Sequence, residues 1–211
     1  MLHKDPFIVN PATFQLVQQL QSQPELKEFY LVGGTALALQ LGHRNSIDID
    51  LFTENDFEHE YLVKFLGSKF SIQSTFTTKN TLLSVINTIK VDFIRHAYPF
   101  VLPPITEEGI TYLSKEDIAA MKLNAISNSG KRLKDFIDVY YLLEHFSLQQ
   151  MIGFYTIKYP NFNPLIALKA INYFEDIDPS IDPPKLKVKL TLSEIKKRIN
   201  DSVLHSRKKF S

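Results

Sequence analysis

Apolar positions recur at two spacings along this chain, and the change from one to the other divides it. Ser46-Ile47-Asp48-Ile49-Asp50-Leu51-Phe52 alternates polar with apolar at period two. That pattern predicts a strand with Ile47, Ile49 and Leu51 on one face and both aspartates on the other. Thr81 to Asn87 and Ile89 to Ile94 are two more β-prone runs, joined tightly at Asn87-Thr88 like a hairpin, with Asp92 in the second. Phe29 to Val32 is a short β-prone run that stops at Gly33-Gly34, and Thr35 to Leu41 is then a strong helix former ending at Gly42. Helical spacing governs residues 10–28, where Asn10-Pro11 supplies a cap and first-turn proline to a face of Phe14, Val17 and Leu20, and also residues 58–69.

After Pro99 to Pro104 the helical period takes over. Ser114 with Asp117 three residues later caps a helix to about Asn128, and a second runs from Lys131 to about Phe146. A helix after Pro164, a proline-rich link at Pro179 to Pro184 and a last helix capped by Ser193 complete the chain. The outline is of the α/β (α+β) class: a sheet-containing half over residues 1–105 and a helical half over 106–211, without internal repeats.

Composition adds exclusions. With 44% hydrophobic and 12% aromatic residues the chain reads as a folded globular protein. Cysteine is absent, which excludes disulfides and thiolate metal sites. The opening Met-Leu-His-Lys-Asp-Pro lacks the apolar run of a secretory signal, and every longer apolar stretch is broken by Lys, Asp or Pro, so a cytoplasmic protein with no membrane partner is expected. The net charge of +1 predicts no partner by itself, but the charges are unevenly placed. Asp48 to Glu60 holds six acids and no Lys or Arg, whereas Pro183 to Ser211 carries a net +7. An acidic centre suits metal binding. A basic end suits nucleic acid, although a basic terminal helix is more often a solvated face.

Asp48 and Asp50, two apart on a predicted strand, put their carboxylates on one face with Cα atoms roughly 6.5 Å apart, and Asp92 on a neighbouring strand supplies a third. Hard carboxylate oxygens are the ligands that magnesium or manganese prefers, and a pair of such ions can activate an attacking oxygen and neutralise a triphosphate leaving group. An isolated Asp-x-Asp is more often an exposed strand face. The order strand, Gly33-Gly34, helix, Asp48-x-Asp50 is more specific, because the glycine turn lets a phosphate approach the positive end of a helix beside the carboxylates. Arg44 and Ser46 either position phosphate or order the loop. Lys122 lies in the stripe of Ile118, Met121, Ala125 and Ile126, as a snorkelling side chain or as a cation for a triphosphate. Asp135 and Asp138 share one face of the next helix opposite Phe136, Val139, Tyr140 and Leu143, and read either as site residues or as an exposed acidic face pairing Lys131 and Lys134. The six histidines show no zinc spacing.

Gly33-Gly34-Thr35-Ala36-Leu37-Ala38-Leu39 followed by Gly42-His43-Arg44-x-Ser46-x-Asp48-Ile49-Asp50-Leu51-Phe52 resembles the signature of AbiEii/AbiGii-type nucleotidyltransferase toxins, within the DNA polymerase beta-like superfamily. Met121-Lys122-Leu123-x-Ala125, Arg132-x-Lys134-Asp135-Phe136-x-Asp138-Val139-Tyr140 and Ala170-x-x-Tyr173-Phe174-x-Asp176 resemble the family's downstream motifs. Gly34 departs from the pattern, since many superfamily members have Ser there. The resemblance implies a nucleotidyltransferase-fold mixed sheet with flanking helices, and a helical second half that completes the active site. It further implies transfer of a nucleoside monophosphate from an NTP, dependent on Mg2+ or Mn2+, to an RNA or tRNA end or a protein. Asp48, Asp50 and Asp92 would hold the metal; Gly33, Gly34, Thr35, Arg44 and Ser46 would hold the nucleotide; Lys122, Asp135 and Asp138 would join the catalytic set. A separate antitoxin protein is the implied partner. Two other readings keep the fold: transfer to a small, aminoglycoside-like acceptor, and a silent binding module. Three clustered carboxylates that repel one another argue against silence.

Overall fold

The computed structural model describes residues 1–210 and resolves the chain into two compact units, Met1–Tyr98 with Pro104–Leu113, and Pro99–Pro103 with the chain from Ser114 onward. The first unit contains helix α1 (Pro11–Gln21), strand β1 (Tyr30–Val32), α2 (Gly33–Leu41), β2 (Ile49–Thr53), α3 (His59–Gly67), β3 (Ile72–Thr78), β4 (Thr81–Ile86), β5 (Ile89–Arg95), β6 (Ile105–Glu107) and β7 (Ile110–Tyr112). The strands form one seven-stranded sheet in the order β3-β4-β5-β2-β1-β7-β6. The β2–β5 and β1–β7 pairs are parallel and the others antiparallel, so the sheet is mixed.

Alternation decides which side of this sheet is core. Leu31, Ile49, Leu51, Leu82, Ile86, Val91 and Phe93 are wholly buried, while the residues between them on β2, β4 and β5 are mostly half-buried and include Asp50 and Leu83. The expected place of Ile47 on one strand face with Ile49 and Leu51 is corrected: β2 starts only at Ile49, and Ile47 is 53% exposed. Asp48 accordingly lies one residue ahead of β2. The β4–β5 turn forms as the sequence indicates, with Asn87 and Thr88 both at positive φ, 48° and 72°, which fits the twist of a two-residue hairpin.

The second unit contains α4 (Lys115–Asn128), α5 (Leu133–His145), α6 (Leu148–Lys158), α7 (Pro164–Ala170) and α8 (Leu192–Leu204). Helix α4 packs against α5, α6 and α7, and α5 packs against α8. Ser114 caps α4 by accepting from the Asp117 amide at 3.0 Å. The cap of α8 is Thr191 and not Ser193: the Thr191 hydroxyl and the Glu194 carboxylate satisfy one another's backbone amides in a capping box, and Ser193 falls inside the first turn. Asp117 and Lys158 form an ion pair at 2.8 Å with both side chains fully buried. Asp117 also accepts from the amides of Val101 and Leu102 and from Ser114 Oγ, tying Pro99–Pro103 to α4. Among the described residues no helix is long and apolar enough to cross a membrane.

Candidate active site

Parallel pairing of β2 with β5 sets Asp50 directly opposite Asp92. Facing residues on neighbouring strands share one side of a sheet roughly 4.8 Å apart, so the two carboxylates stand next to each other, with Asp48 just ahead on the same chain. Asp92 is 7% exposed, and its Oδ1 is buried without a hydrogen-bond partner. Its Oδ2 lies 2.9 Å from Lys90 Nζ. Burial lowers the Lys90 pKa, but the hydrogen bond and charge of Asp92 and the fields of Asp48 and Asp50 outweigh it, so the net shift is upward. Three carboxylates therefore act on one cation as a concentrated negative field. Among the described residues no group of three or more His, Cys, Asp or Glu side chains is gathered tightly enough to enclose a metal ion.

The glycine turn is pressed against this centre. Gly33 has φ +69°, and a Cβ built on it would collide with Asp50 Oδ2 and stand 3.3 Å from Asp50 Cγ. Only glycine allows that approach. Helix α2 begins here with no side-chain cap from Val32, which leaves the amides of its first turn for another acceptor. A Cβ on Gly34 would collide with Arg44 Nη2 and stand 3.2 Å from Ser46 Oγ. Arg44 is only 2% exposed, and its Nη1 donates to the Asn45 carbonyl at 2.9 Å. The room a serine at position 34 would need is thus filled by a guanidinium, which accounts for the departure from the superfamily pattern. Thr35 is buried; its hydroxyl bonds the Asp48 carbonyl and lies 2.9 Å from Ser46 Oγ, fastening α2 to the chain entering β2. The loop is propped from beneath, where Ser46 N donates to the Ile8 carbonyl at 2.8 Å and Asn45 Nδ2 to the Phe7 carbonyl at 2.6 Å.

In the second unit Lys122, Asp135 and Asp138 meet. Lys122 Nζ is 2.8 Å from Asp135 Oδ1 and 2.7 Å from Asp138 Oδ2, and Arg132 Nε is 3.0 Å from Asp135 Oδ2. The Asp138 side chain is fully buried, while Asp135 and Lys122 keep 6% and 9% of theirs exposed. The exposed-face reading of the two aspartates is overturned, since Lys134 pairs instead with Asp182 at 2.5 Å. Lys122 does not snorkel either, because two carboxylates hold it inside. Sequence reasoning missed Lys90, whose signal was available: it lies two residues before Asp92 in the same alternating run and so on the same side of β5.

A family model described as nucleotidyl transferase AbiEii toxin, type IV toxin–antitoxin system, matches residues 15–178. The chain belongs to this family. As an AbiEii-family nucleotidyltransferase it carries every candidate residue from Gly33 to Asp138 inside the matched span, which ends before the basic C-terminal segment. An uncharacterized protein of Aquifex aeolicus (strain VF5) is 34% identical over 155 residues, covering 71% of this chain and 75% of that protein. Among solved structures, the nucleotidyltransferase toxin MenT4 of Mycobacterium tuberculosis H37Rv superposes with TM-score 0.63 at 15% identity, over 91% of this chain and 80% of its own. JHP933 of Helicobacter pylori superposes with TM-score 0.54 at 16% identity, over 93% and 89%. At such identities the likeness shows a shared nucleotidyltransferase fold.

Proposed function

We propose that this nucleotidyltransferase moves a nucleoside monophosphate from an NTP onto the 3′ hydroxyl of an RNA acceptor, using a divalent ion held by Asp48, Asp50 and Asp92. The observation that carries the reading is the register of β2 against β5, which sets Asp50 beside Asp92 with the Gly33 turn against them. The donor chemistry suits magnesium: all donors are carboxylate oxygens, and the buried Asp92 Oδ1, which has no hydrogen-bond partner, would be satisfied by coordinating a cation. When bound, such an ion neutralises the triphosphate and activates the attacking hydroxyl. The uncapped first-turn amides of α2 receive a phosphate of the NTP, and Arg44, fixed over Gly34, adds positive charge beside that turn. Lys122, held by Asp135 and Asp138, belongs to the catalytic set that the resemblance implies. A separate antitoxin protein is the partner that family membership suggests.

The test is to incubate the purified chain with each labelled triphosphate, magnesium and total cellular RNA. Label should enter RNA, and Asp48→Asn, Asp50→Asn and Asp92→Asn should each abolish transfer with unchanged circular dichroism. Near-normal turnover in any of them would overturn the metal-site reading, and label in protein or a small molecule alone would overturn the acceptor.

A further inference from the structure

Strand β3 is the edge of the sheet, and it contains one irregularity. Ser74 pairs with Ser84, but the next matched pair is Phe76 with Leu83, so Thr75 is an extra, bulged residue. Its hydroxyl donates to the Leu83 carbonyl at 3.0 Å. Without the bulge Phe76 would face Leu82, which is wholly buried on the core side. A single inserted residue turns every following side chain to the opposite side. Here it moves Phe76 out of the core side and leaves it 54% exposed. The side it joins is the carboxylate side: Phe76 pairs with Leu83, Leu83 with Asp92, and Asp92 with Asp50, in one row across four strands. Leu83 and, two residues on, Val85 are part-exposed and make an apolar floor between Phe76 and Asp92. With strands roughly 4.8 Å apart, Phe76 stands about 10 Å from Asp92 along that floor.

Lys79 stands at the β3–β4 turn, beside Asn80, whose Nδ2 donates to Asp56 Oδ1 at 2.5 Å. From Tyr61 to Val91, the stretch that supplies β3 and β4, the sequence has four lysines (Lys64, Lys69, Lys79 and Lys90) and no Asp or Glu. This acid-free stretch directly follows the six-acid segment of Asp48 to Glu60. Cations of the C-terminal segment are in part committed to the fold: Arg198 pairs with Glu144 at 2.6 Å and stacks 3.6 Å over Tyr140, Lys208 pairs with Asp201 at 2.5 Å, and Arg207 donates to Gln149 at 3.1 Å.

We propose that the β3–β4 hairpin is the platform for the acceptor's single-stranded end, with an unpaired base near the 3′ terminus stacked on Phe76 and a phosphate met by Lys79. The inference rests on the RNA-acceptor reading and assigns it a surface. An aromatic face accepts any base, and backbone contacts from lysine carry no sequence information, so the platform places the 3′ end toward Asp92 without selecting its sequence. A pairing protein strand would use the amide and carbonyl edge of β3, whereas the aromatic ring and the row to the carboxylates lie on the face of the sheet.

Binding is measured on the full chain without triphosphate, by anisotropy and quenching of a short single-stranded RNA bearing 2-aminopurine next to its 3′ end. Loss of one stacked base costs about 1–3 kcal/mol, so Phe76→Ala should weaken binding roughly 5- to 150-fold and relieve the quenching, while Phe76→Trp should bind at least as well as the parent. Lys79→Ala should lower the slope of log affinity against log salt by roughly 0.7. Parental affinity and quenching in Phe76→Ala would overturn the platform, as would a Phe76→Ala effect confined to self-association, which would make β3 a protein-docking edge. If RNA binds through Phe76 yet no triphosphate labels it, the transfer reading fails and the platform stands. If RNA is labelled equally by parent and Phe76→Ala at subsaturating RNA, the platform fails and the transfer reading stands.

Discussion

Replacing Lys122 by methionine separates what the lysine does for the fold from what it does for the reaction. Methionine conserves length and suits a helix interior, so little packing is lost. What is lost is the cation 2.7 Å from Asp138 and 2.8 Å from Asp135. Asp135 retains Arg132 at 3.0 Å, but the fully buried Asp138 carboxylate loses the lysine that faces it. Removing one partner of a buried pair costs about 3–5 kcal/mol. For a chain of 211 residues, each kcal/mol moves the melting temperature by about 2–4 °C, so K122M should melt roughly 6–20 °C below the parent. The double variant K122M/D138N removes the buried charge and should recover part of that loss, the cost that remains being the ~1–3 kcal/mol of an amide whose bonds are incompletely met. Thermal melts by circular dichroism read both numbers, and transfer to RNA is assayed on the same samples below their melting points. If Lys122 serves the reaction as well as the fold, the stabilised double variant stays inactive. A K122M melt within about 2 °C of the parent, or a double variant no more stable than K122M, would refute the buried-charge argument. Restored activity in the double variant would reduce Lys122 to a structural residue.

Gly34→Ser, the residue many superfamily members carry, should destabilise this chain by about 1–3 kcal/mol because its Cβ meets the buried Arg44 guanidinium, and combined with Arg44→Ala the loss should be smaller than the sum of the two single losses; a parental melt for Gly34→Ser alone would contradict the packing argument. Lys90→Ala removes the cation that shares Asp92 Oδ2 and should lower the magnesium concentration for half-maximal transfer; an unchanged or higher requirement would show that Lys90 and metal do not compete. Arg198→Ala should cost about 1–2 kcal/mol through loss of the Tyr140 stack and the Glu144 pair while leaving the salt dependence of RNA binding as in the parent, and a shallower salt slope would return the C-terminal cations to the acceptor site.

What could be read from the chain depended on whether a residue's neighbours were close in sequence. The strand positions of Asp50 and Asp92 were legible because period-two alternation is a local property, whereas Asp48 falls one residue ahead of its strand; the Gly33-Gly34 turn was legible because strand and helix propensities change sharply across it. β3 was not legible: Ile72-Gln73-Ser74-Thr75-Phe76-Thr77-Thr78 is exposed along nearly its whole length, so no apolar alternation marks it, and its bulge breaks the period besides. β6 and β7 have three residues each, too few to show a period. α6 was missed although Ser147 and Gln150 form a capping box at its start, a signal that had been weighed only at other helices. The apolar stripe of α4 was misjudged, for Leu123 and Ala119 are buried with Lys122 while Met121 and Ala125 are only half-buried. That error has the same source as the uncertainty over Asp135 and Asp138. A helix whose buried face includes charges looks amphipathic in the wrong direction until the counter-ion on another helix is known.

Ion pairs inside this chain differ in how completely they are satisfied, and that difference bears on which of them are structural. Asp117 and Lys158 are both fully buried, and Asp117 accepts from Lys158, two backbone amides and the Ser114 hydroxyl. Such a carboxylate has little capacity left for a ligand. Its removal would release Pro99–Pro103 from α4, an effect on folding. Asp92 is the opposite case. One of its oxygens is buried without a partner, the other is met by a half-exposed lysine, and two further carboxylates add to the same field. Keeping an unsatisfied buried oxygen costs about 1–3 kcal/mol, and setting like charges side by side costs more, so the arrangement weakens the fold. A divalent cation would satisfy the orphaned oxygen and turn the mutual repulsion of the three carboxylates into binding energy. Asp117 therefore belongs to the architecture of its unit, whereas Asp92 keeps an oxygen that the fold itself does not satisfy.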